Sequence, residues 1–394
     1  MKNILPAIVA FTTITITFAM CKQVYEAPVQ TQKIRLLVVE GFINGGQGPT
    51  TILLSRTGDL QDQSRRPEYG AQVKVEGDDG SAFLFVDSLN GKYAYPQLFL
   101  NNNVKYRLHI TTSNGKEYAS EYTPVRHTPP IDSITWQMED NGVRLYANTH
   151  DPQNVTKYYQ WKYDETWEIH SAYYSSLKYK RDASNRVTAL LWRDTDFHRV
   201  DTTIHKCWNS LSSTSIILGS SEKLSAYLIY LPVHYIDPNS EKLSVLYSFN
   251  LKQYAMSQDA YLFLQKMKKN TEQVGSLFDA QPSQISGNVK CLTDANEQVI
   301  GFVEVTEEQT KRIFIYNSQV PGWRYSPACQ QNVIDNNVDS INKYGADLYP
   351  TVPLMVVLEP PPLFEVVKTF YAANMESCID CTTRGVNKKP SFWP

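Results

Sequence analysis

VLYSFNLKQYAMSQDAYLFLQKMKKNTEQVGSLFDAQPSQISGN, residues 245–288, holds a strand, a capped helix and a glycine-punctuated loop in unbroken succession. Val245, Tyr247, Phe249 and Leu251 alternate with Leu246, Ser248, Asn250 and Lys252, the period of two that a half-buried strand requires. Ser257 stops the strand and suits a helix N-cap, because its hydroxyl can accept from a free N–H of the first turn. Asp259 adds an anion where the helix dipole favours one, and Ala260, Leu264, Met267, Thr271 and Val274 recur at helical spacing up to Gly275. The helix is therefore amphipathic and should lie across the edge or face of a sheet.

The flanking sequence is rich in short strands. Ile34–Val39 and Thr51–Leu54 are separated by a turn with Gly45, Gly46 and Gly48, and Ala71–Glu76 turns at Asp78–Gly80 into Ala82–Val86. Lys92–Tyr95, Lys105–Thr111 and Lys116–Glu121 complete about seven strands, the spacing of an antiparallel β-sandwich. Thr128-Pro129-Pro130 marks a boundary, and Ser133–Met138 and Val143–Ala147 open a second set. Tyr159, Trp161, Tyr163, Trp167 and Ile169 share one face of a long strand, with Trp161 central to a core and Glu165 the exception. Ile216–Leu218, Leu224–Val233, Val299–Val305 and Arg312–Tyr316 supply further strands, whereas the period fails from Ser171 to Val200.

The expected architecture is mainly β: two antiparallel, immunoglobulin- or fibronectin-like sandwiches, the second carrying the inserted helix. Residues 1–20 read as a secretory signal, 21–31 as a tether, 32–127 as the first domain and 128–316 as the second. The stretch 317–394, with its proline-rich segment Pro350–Pro362, reads as a loop-rich cap on the second domain.

Lys2, the apolar run Ile4–Met20 and Cys21 have the layout of a lipoprotein signal, although Met20 stands where a small residue is usual. The alternative is an uncleaved transmembrane anchor. Only 20% of residues are charged and the net charge is −2, which implies neither nucleic acid nor an acidic surface as partner. Five cysteines remain after Cys21, so an oxidising compartment suggests two bridges and one spare thiol. Cys378-Ile379-Asp380-Cys381 could instead belong to a zinc site or a thiol–disulfide pair. No second C-x-x-C, no nearby histidine and no thioredoxin-like helix support those readings.

The segments QYAMSQDAY (253–261), NTEQVGSLFDAQPSQISGNV (270–289) and CIDCTTRGVNKKPSFW (378–393) resemble the signature regions of domain-of-unknown-function family 4249, surface lipoproteins of Bacteroidetes. The resemblance implies lipidation at Cys21 and an outer-membrane, cell-surface location. It also implies recurrent cysteines at Cys207, Cys329, Cys378 and Cys381, leaving Cys291 spare. Its usual setting implies work beside a TonB-dependent transporter.

Catalytic constellations are not apparent. No H-E-x-x-H, G-x-S-x-G, P-loop or dinucleotide glycine pattern occurs, and no cofactor or metal is expected. His198 and His205 with Asp194, Asp196 and Asp201 match no defined metal spacing, and Glu165 and Glu168 would point to opposite faces of their strand. The expected function is therefore non-enzymatic: an accessory binding component of a TonB-dependent uptake system, or alternatively a structural or adhesin-like subunit of another outer-membrane assembly. Tyr173, Tyr174, Tyr179, Trp192, Trp323, Tyr325, Tyr344 and Tyr349 lie in segments without strand period and are the candidates for ligand or partner contact. Equally, they could plug the ends of a large sandwich.

Overall fold

The structure, a computed structural model, describes residues 35–58, 66–194, 200–224, 228–272, 287–359 and 364–394. The expected signal and tether, with Cys21, lie outside these residues, as do Asp196, His198, Gly275 and most of the loop that follows the helix.

The chain is mainly β. Strands β1 (Leu37–Gly41), β2 (Thr50–Arg56), β3 (Gln72–Gly77), β4 (Lys92–Tyr95), β5 (Lys105–Thr111) and β6 (Glu117–Ser120) form two sheets, with β1–β2–β4 adjacent in one and β3–β5–β6 in the other. Alternation decides which side is covered. Leu37, Val39, Ile52 and Leu54 of the first sheet meet Val73, Val75, Leu108 and Ile110 of the second in one core, with Tyr93 and Tyr118 fully buried between them. Each such aliphatic side chain contributes on the order of 1.5–3 kcal/mol when removed from water.

The chain then crosses at Thr128-Pro129-Pro130, and hydrogen bonds hold this crossing in place. The Ala255 N–H donates to Thr128 Oγ1 at 3.0 Å, and Gln253 Nε2 donates to the Pro129 carbonyl at 2.8 Å. Beyond it run β7 (Ile131–Glu139), β8 (Gly142–His150), β9 (Tyr158–His170), β10 (Leu177–Arg181), β11 (Val187–Trp192), β12 (Lys206–Ser212), β13 (Ile217–Ser220), β14 (Leu228–Ile236), β15 (Leu246–Met256) and α1 (Gln258–Glu272). The β7–β8 hairpin turns at Asp140 and Asn141, both with positive φ, as a two-residue primed turn demands. Sheet β7–β8–β14 faces sheet β12–β9–β15, to which β13 adds along β9. Their common core takes Tyr159, Trp161, Trp167 and Ile169 from β9, the face expected from their spacing. Ser257 caps α1, its Oγ accepting from the Ala260 N–H at 3.1 Å.

Two strands correct the expected division. β16 (Val289–Cys291) and β17 (Val299–Gly301) return to the first pair of sheets, β16 antiparallel to β6 and β17 parallel to β1. Val289, Cys291 and Val299 are buried in the first core, so residues 289–301 complete 32–127 rather than close the second sheet. β18 (Gln309–Tyr316) does pair with β15, as expected.

The expected loop-rich cap is also a sheet. β19 (Gln331–Asp335), β20 (Tyr349–Glu359) and β21 (Phe364–Ala373) pair in the order β19–β21–β20. Pro350 and Pro353 do not prevent this. They sit on an edge strand at register irregularities, where no ladder N–H is needed. The aperiodic segment 171–200 contains the β10–β11 hairpin, which packs on this sheet through a third core of Leu177, Val187, Ile334, Ile341, Val367 and Phe370.

Candidate functional site

The aromatic candidates divide by burial. Trp323 is in the second core, its Nε1–H donating to the Ser240 carbonyl at 3.0 Å. Tyr179 and Trp192 pack on the third core, and Tyr179 donates to the Gly345 carbonyl at 3.1 Å. Tyr173 and Tyr349 pack around the buried Cys378, and Tyr325 is half-buried. Tyr174 and Tyr344 are exposed, so the eight rings form no common platform. A strand period hidden by the charges in KYKRDASNRV (178–187) made two of these core rings look free.

The histidine–aspartate group does not assemble into a metal site among the described residues. His205 stacks on Tyr174, with ring centroids 3.8 Å apart, and bonds Ser171 Oγ at 2.7 Å; Asp201 Oδ1 accepts from Thr203. Glu165 and Glu168 do point to opposite faces, and each is fully engaged. Glu165 accepts from Lys242 Nζ at 2.6 Å, Tyr247 OH at 2.8 Å and His234 Nε2 at 3.2 Å. Burial alone would raise its pKa, but the bonds from His234 and Lys242 outweigh that and hold it low.

The cysteines pair as Cys207–Cys381 and Cys329–Cys378, with Cys291 free and buried. The two cysteines of the C-x-x-C thus serve different bridges, which removes them as a joint zinc site or redox pair.

The arrangement with chemical capacity is a cavity of about 790 Å3 between β1, β9 and β17, roofed by α1. On β9 the odd positions face the second core, which leaves Gln160 and Lys162 on the opposite face, in the cavity wall. The apolar stripe of α1, Ala260, Leu264 and Met267, lies over it with Phe263. Phe42 and Phe302 add aromatic walls, Phe42 stacked on Tyr254 at 4.6 Å and Phe302 against Phe263 at 5.6 Å. Burial draws the Lys162 pKa down, against the pull of Glu40 and Glu308. Its ammonium lies 5.4 Å from the Phe42 ring centroid, and no described carboxylate forms an ion pair with it. Gln160 Oε1 is buried without a hydrogen-bond partner. Glu304 closes one end, accepting from the Ser257 N–H at 3.0 Å and from Arg126 Nε at 3.3 Å; burial raises its pKa.

A second hollow of about 840 Å3 is lined by Arg56, Lys116, Glu68 and Glu297. Two of its cations are paired, Arg56 with Glu68 at 2.7 Å and Lys116 with Glu297, and Arg35 lies exposed at its rim. In the first cavity the half-buried Lys162 stands outside any ion pair among the described residues. Sequence alone shows the polar alternation of Gln160 and Lys162 but not that a helix covers it.

The other unusual surface is the distal part of the β20–β21 hairpin. Leu354, Met355, Val356, Val357 and Leu358 are consecutive, and each is 39–61% exposed. Successive residues of a strand face opposite sides, so this arm shows apolar groups on both faces. The free edge of β20 here has no backbone partner among the described residues.

The sequence profile of a domain of unknown function (DUF4249) matches residues 22–312. No curated protein matches the chain. Among solved structures, a Salmonella alpha-2-macroglobulin aligns with 87% of this chain at 9% identity and a TM-score of 0.17, and the aligned part is 18% of its own length. A Bacteroides uniformis protein provisionally named as carbohydrate binding aligns with 56% of this chain and 90% of its own at 11% identity and a TM-score of 0.15. Scores this low carry no structural argument.

Proposed function

Because the chain belongs to the DUF4249 family, we propose that it is a non-enzymatic lipoprotein of the outer-membrane surface, an accessory binding component of a TonB-dependent uptake system. In this reading Cys21 carries the lipid, and the two paired-sheet cores are sandwich domains with the third core as a cap. The observation that supports it is the roofed, largely apolar cavity with Lys162 outside any ion pair, since binding sites combine apolar walls with a few placed polar groups. The apolar arm favours a second reading, a structural or adhesin-like subunit of another outer-membrane assembly. It also suits docking of a capture protein on its transporter. Lipid is a poor cover for the arm, because open strand edges are not tolerated in hydrocarbon; a protein groove that supplies a strand satisfies both faces and edge.

The test is a detergent pull-down through a C-terminal tag, with wild type and with Val356→Lys/Leu358→Lys. Recovery of a TonB-dependent transporter by the wild type and its loss in the variant is the expected outcome. An assembly without a transporter supports the structural reading. Replacement of Cys21 by Ser should release the chain from the membrane fraction, and a membrane-retained, full-length product would replace the lipid anchor with a spanning segment.

A further inference from the structure

Resting on the ligand-capture reading, we propose that the cavity under α1 selects a small amphipathic monoanion, a carboxylate on an apolar body, whose head meets Lys162 and whose body lies against Phe42, Phe263 and Leu264. Its volume, about 790 Å3, is within the range that encloses drug-sized ligands. The walls decide the body: aromatic and aliphatic side chains from β1, α1 and the Phe302 segment cover most of the cavity, and Ser213, Thr214 and Ser215 add hydroxyls along one side.

The charges decide the head. Lys252 is paired with Asp164 at 2.7 Å, and Glu308 accepts from the Tyr254 hydroxyl. Glu304 is held by Ser257 and Arg126. Glu40 also lines the cavity, but it is exposed, so water and salt screen it. Lys162 is left as the sheltered charge outside any ion pair, its ammonium near the Phe42 ring. A cation in apolar surroundings gains most from an anion that enters and excludes water around the pair.

The experiment uses the exported, unlipidated Cys21→Ser chain and two fluorescent probes of similar shape. One is the anion 8-anilinonaphthalene-1-sulfonate, and the other is the neutral N-phenyl-1-naphthylamine. Both should bind at one saturable site. Lys162→Met, which keeps the stem and removes the charge, should weaken the anionic probe about 10- to 100-fold while the neutral probe changes by less than about twofold. On the unaltered cavity, decanoate should displace the anionic probe at a concentration about 10-fold or more below that needed with decanol, so the conclusion does not depend on the variant folding. Leu264→Trp, filling the cavity from its roof, should abolish both signals. Equal effects of Lys162→Met on the two probes, or equal displacement by decanol, would overturn anion selection and leave a merely apolar site. Binding lost on Leu354→Ser/Val356→Ser but kept on Leu264→Trp would assign the dye to the hairpin arm and overturn the cavity. Failure of both probes to bind would remove the capture reading itself.

Discussion

Glu168 is almost wholly buried, with its side chain 6% exposed, and three donors converge on it: Lys206 Nζ at 2.7 Å, His170 Nε2 at 2.8 Å and Trp393 Nε1 at 3.0 Å. Burial would raise its pKa, yet these bonds prevail and hold it down to about 2 from the usual 4.5. A carboxyl whose folded pKa is depressed contributes its full stability above the unfolded value and loses it as the pH falls through the folded one. Here that window runs from about 4.5 down to about 2. Glu168→Gln should therefore cost on the order of 2–3 kcal/mol at pH 7, and the gap to wild type should close as urea unfolding is repeated toward pH 2. A gap independent of pH would mean that the loss is of packing and not of charge. Gly219 offers a steric counterpart. A Cβ there would stand 2.7 Å from the Trp161 ring, which is fully buried and fixed by its Nε1–H bond to Gln253 at 2.8 Å. Gly219→Ala should thus destabilise by about 1–3 kcal/mol in thermal or urea unfolding, as overpacking in a filled core does.

Among the elements, the β20–β21 arm and strand β9 use alternation in opposite ways. On the arm both faces are apolar and exposed, so no core depends on Val356 or Leu358. Val356→Lys/Leu358→Lys should leave unfolding within about 0.5 kcal/mol of wild type while lowering self-association on concentration, measured by light scattering. A large stability loss would place the arm against the body of the molecule. On β9 the alternation separates a core face from a cavity face, and only the first half of that was legible in the sequence. Tyr159, Trp161, Trp167 and Ile169 announce a buried face by their size and spacing. Gln160 and Lys162 look like any solvated face, because what covers them comes from α1 and β17, far along the chain. The helix itself was legible from Ser257 and the stripe Ala260, Leu264 and Met267. Its destination was not, since amphipathicity specifies that a face is covered without specifying by what. β16 and β17 show the same limit. Three-residue strands such as Val289–Cys291 carry a burial pattern but no address, and only pairing with β6 and β1 places them in the first core.

At the scale of the whole molecule, the chain leaves each core and later returns to it, so stability is shared among segments distant in sequence. The β10–β11 hairpin shows this, because its fully buried Leu177 and Val187 meet Ile334 and Phe370 across more than a hundred residues. Replacing 171–200 by a short glycine bridge should accordingly lower stability by several kcal/mol, as exposing that core requires. Unchanged thermal unfolding would return the segment to the role of a recognition loop. The disulfides belong to the same logic and can be separated by experiment. Cys207–Cys381 ties β12 of the second core to the tail, whose Trp393 packs edge-on against Trp208 and donates to Glu168. Cys329–Cys378 closes a separate link, 49 residues in sequence, beside the third core. Removing either bridge should cost about 2–5 kcal/mol in a reversible unfolding measurement. Only Cys207→Ser/Cys381→Ser should also free the tail to early proteolytic cleavage beyond residue 381 and shift the emission of Trp208 and Trp393 to the red, because the bridge holds that segment where two indoles exclude water. Cys329→Ser/Cys378→Ser should leave the tail protected, since the Arg384 guanidinium still bonds Glu241 and the Val386 N–H still donates to the Trp208 carbonyl at 2.9 Å. Equal tail exposure in both variants would show that the two bridges stabilise one cooperative unit, and the independence of the third core from the second would have to be abandoned.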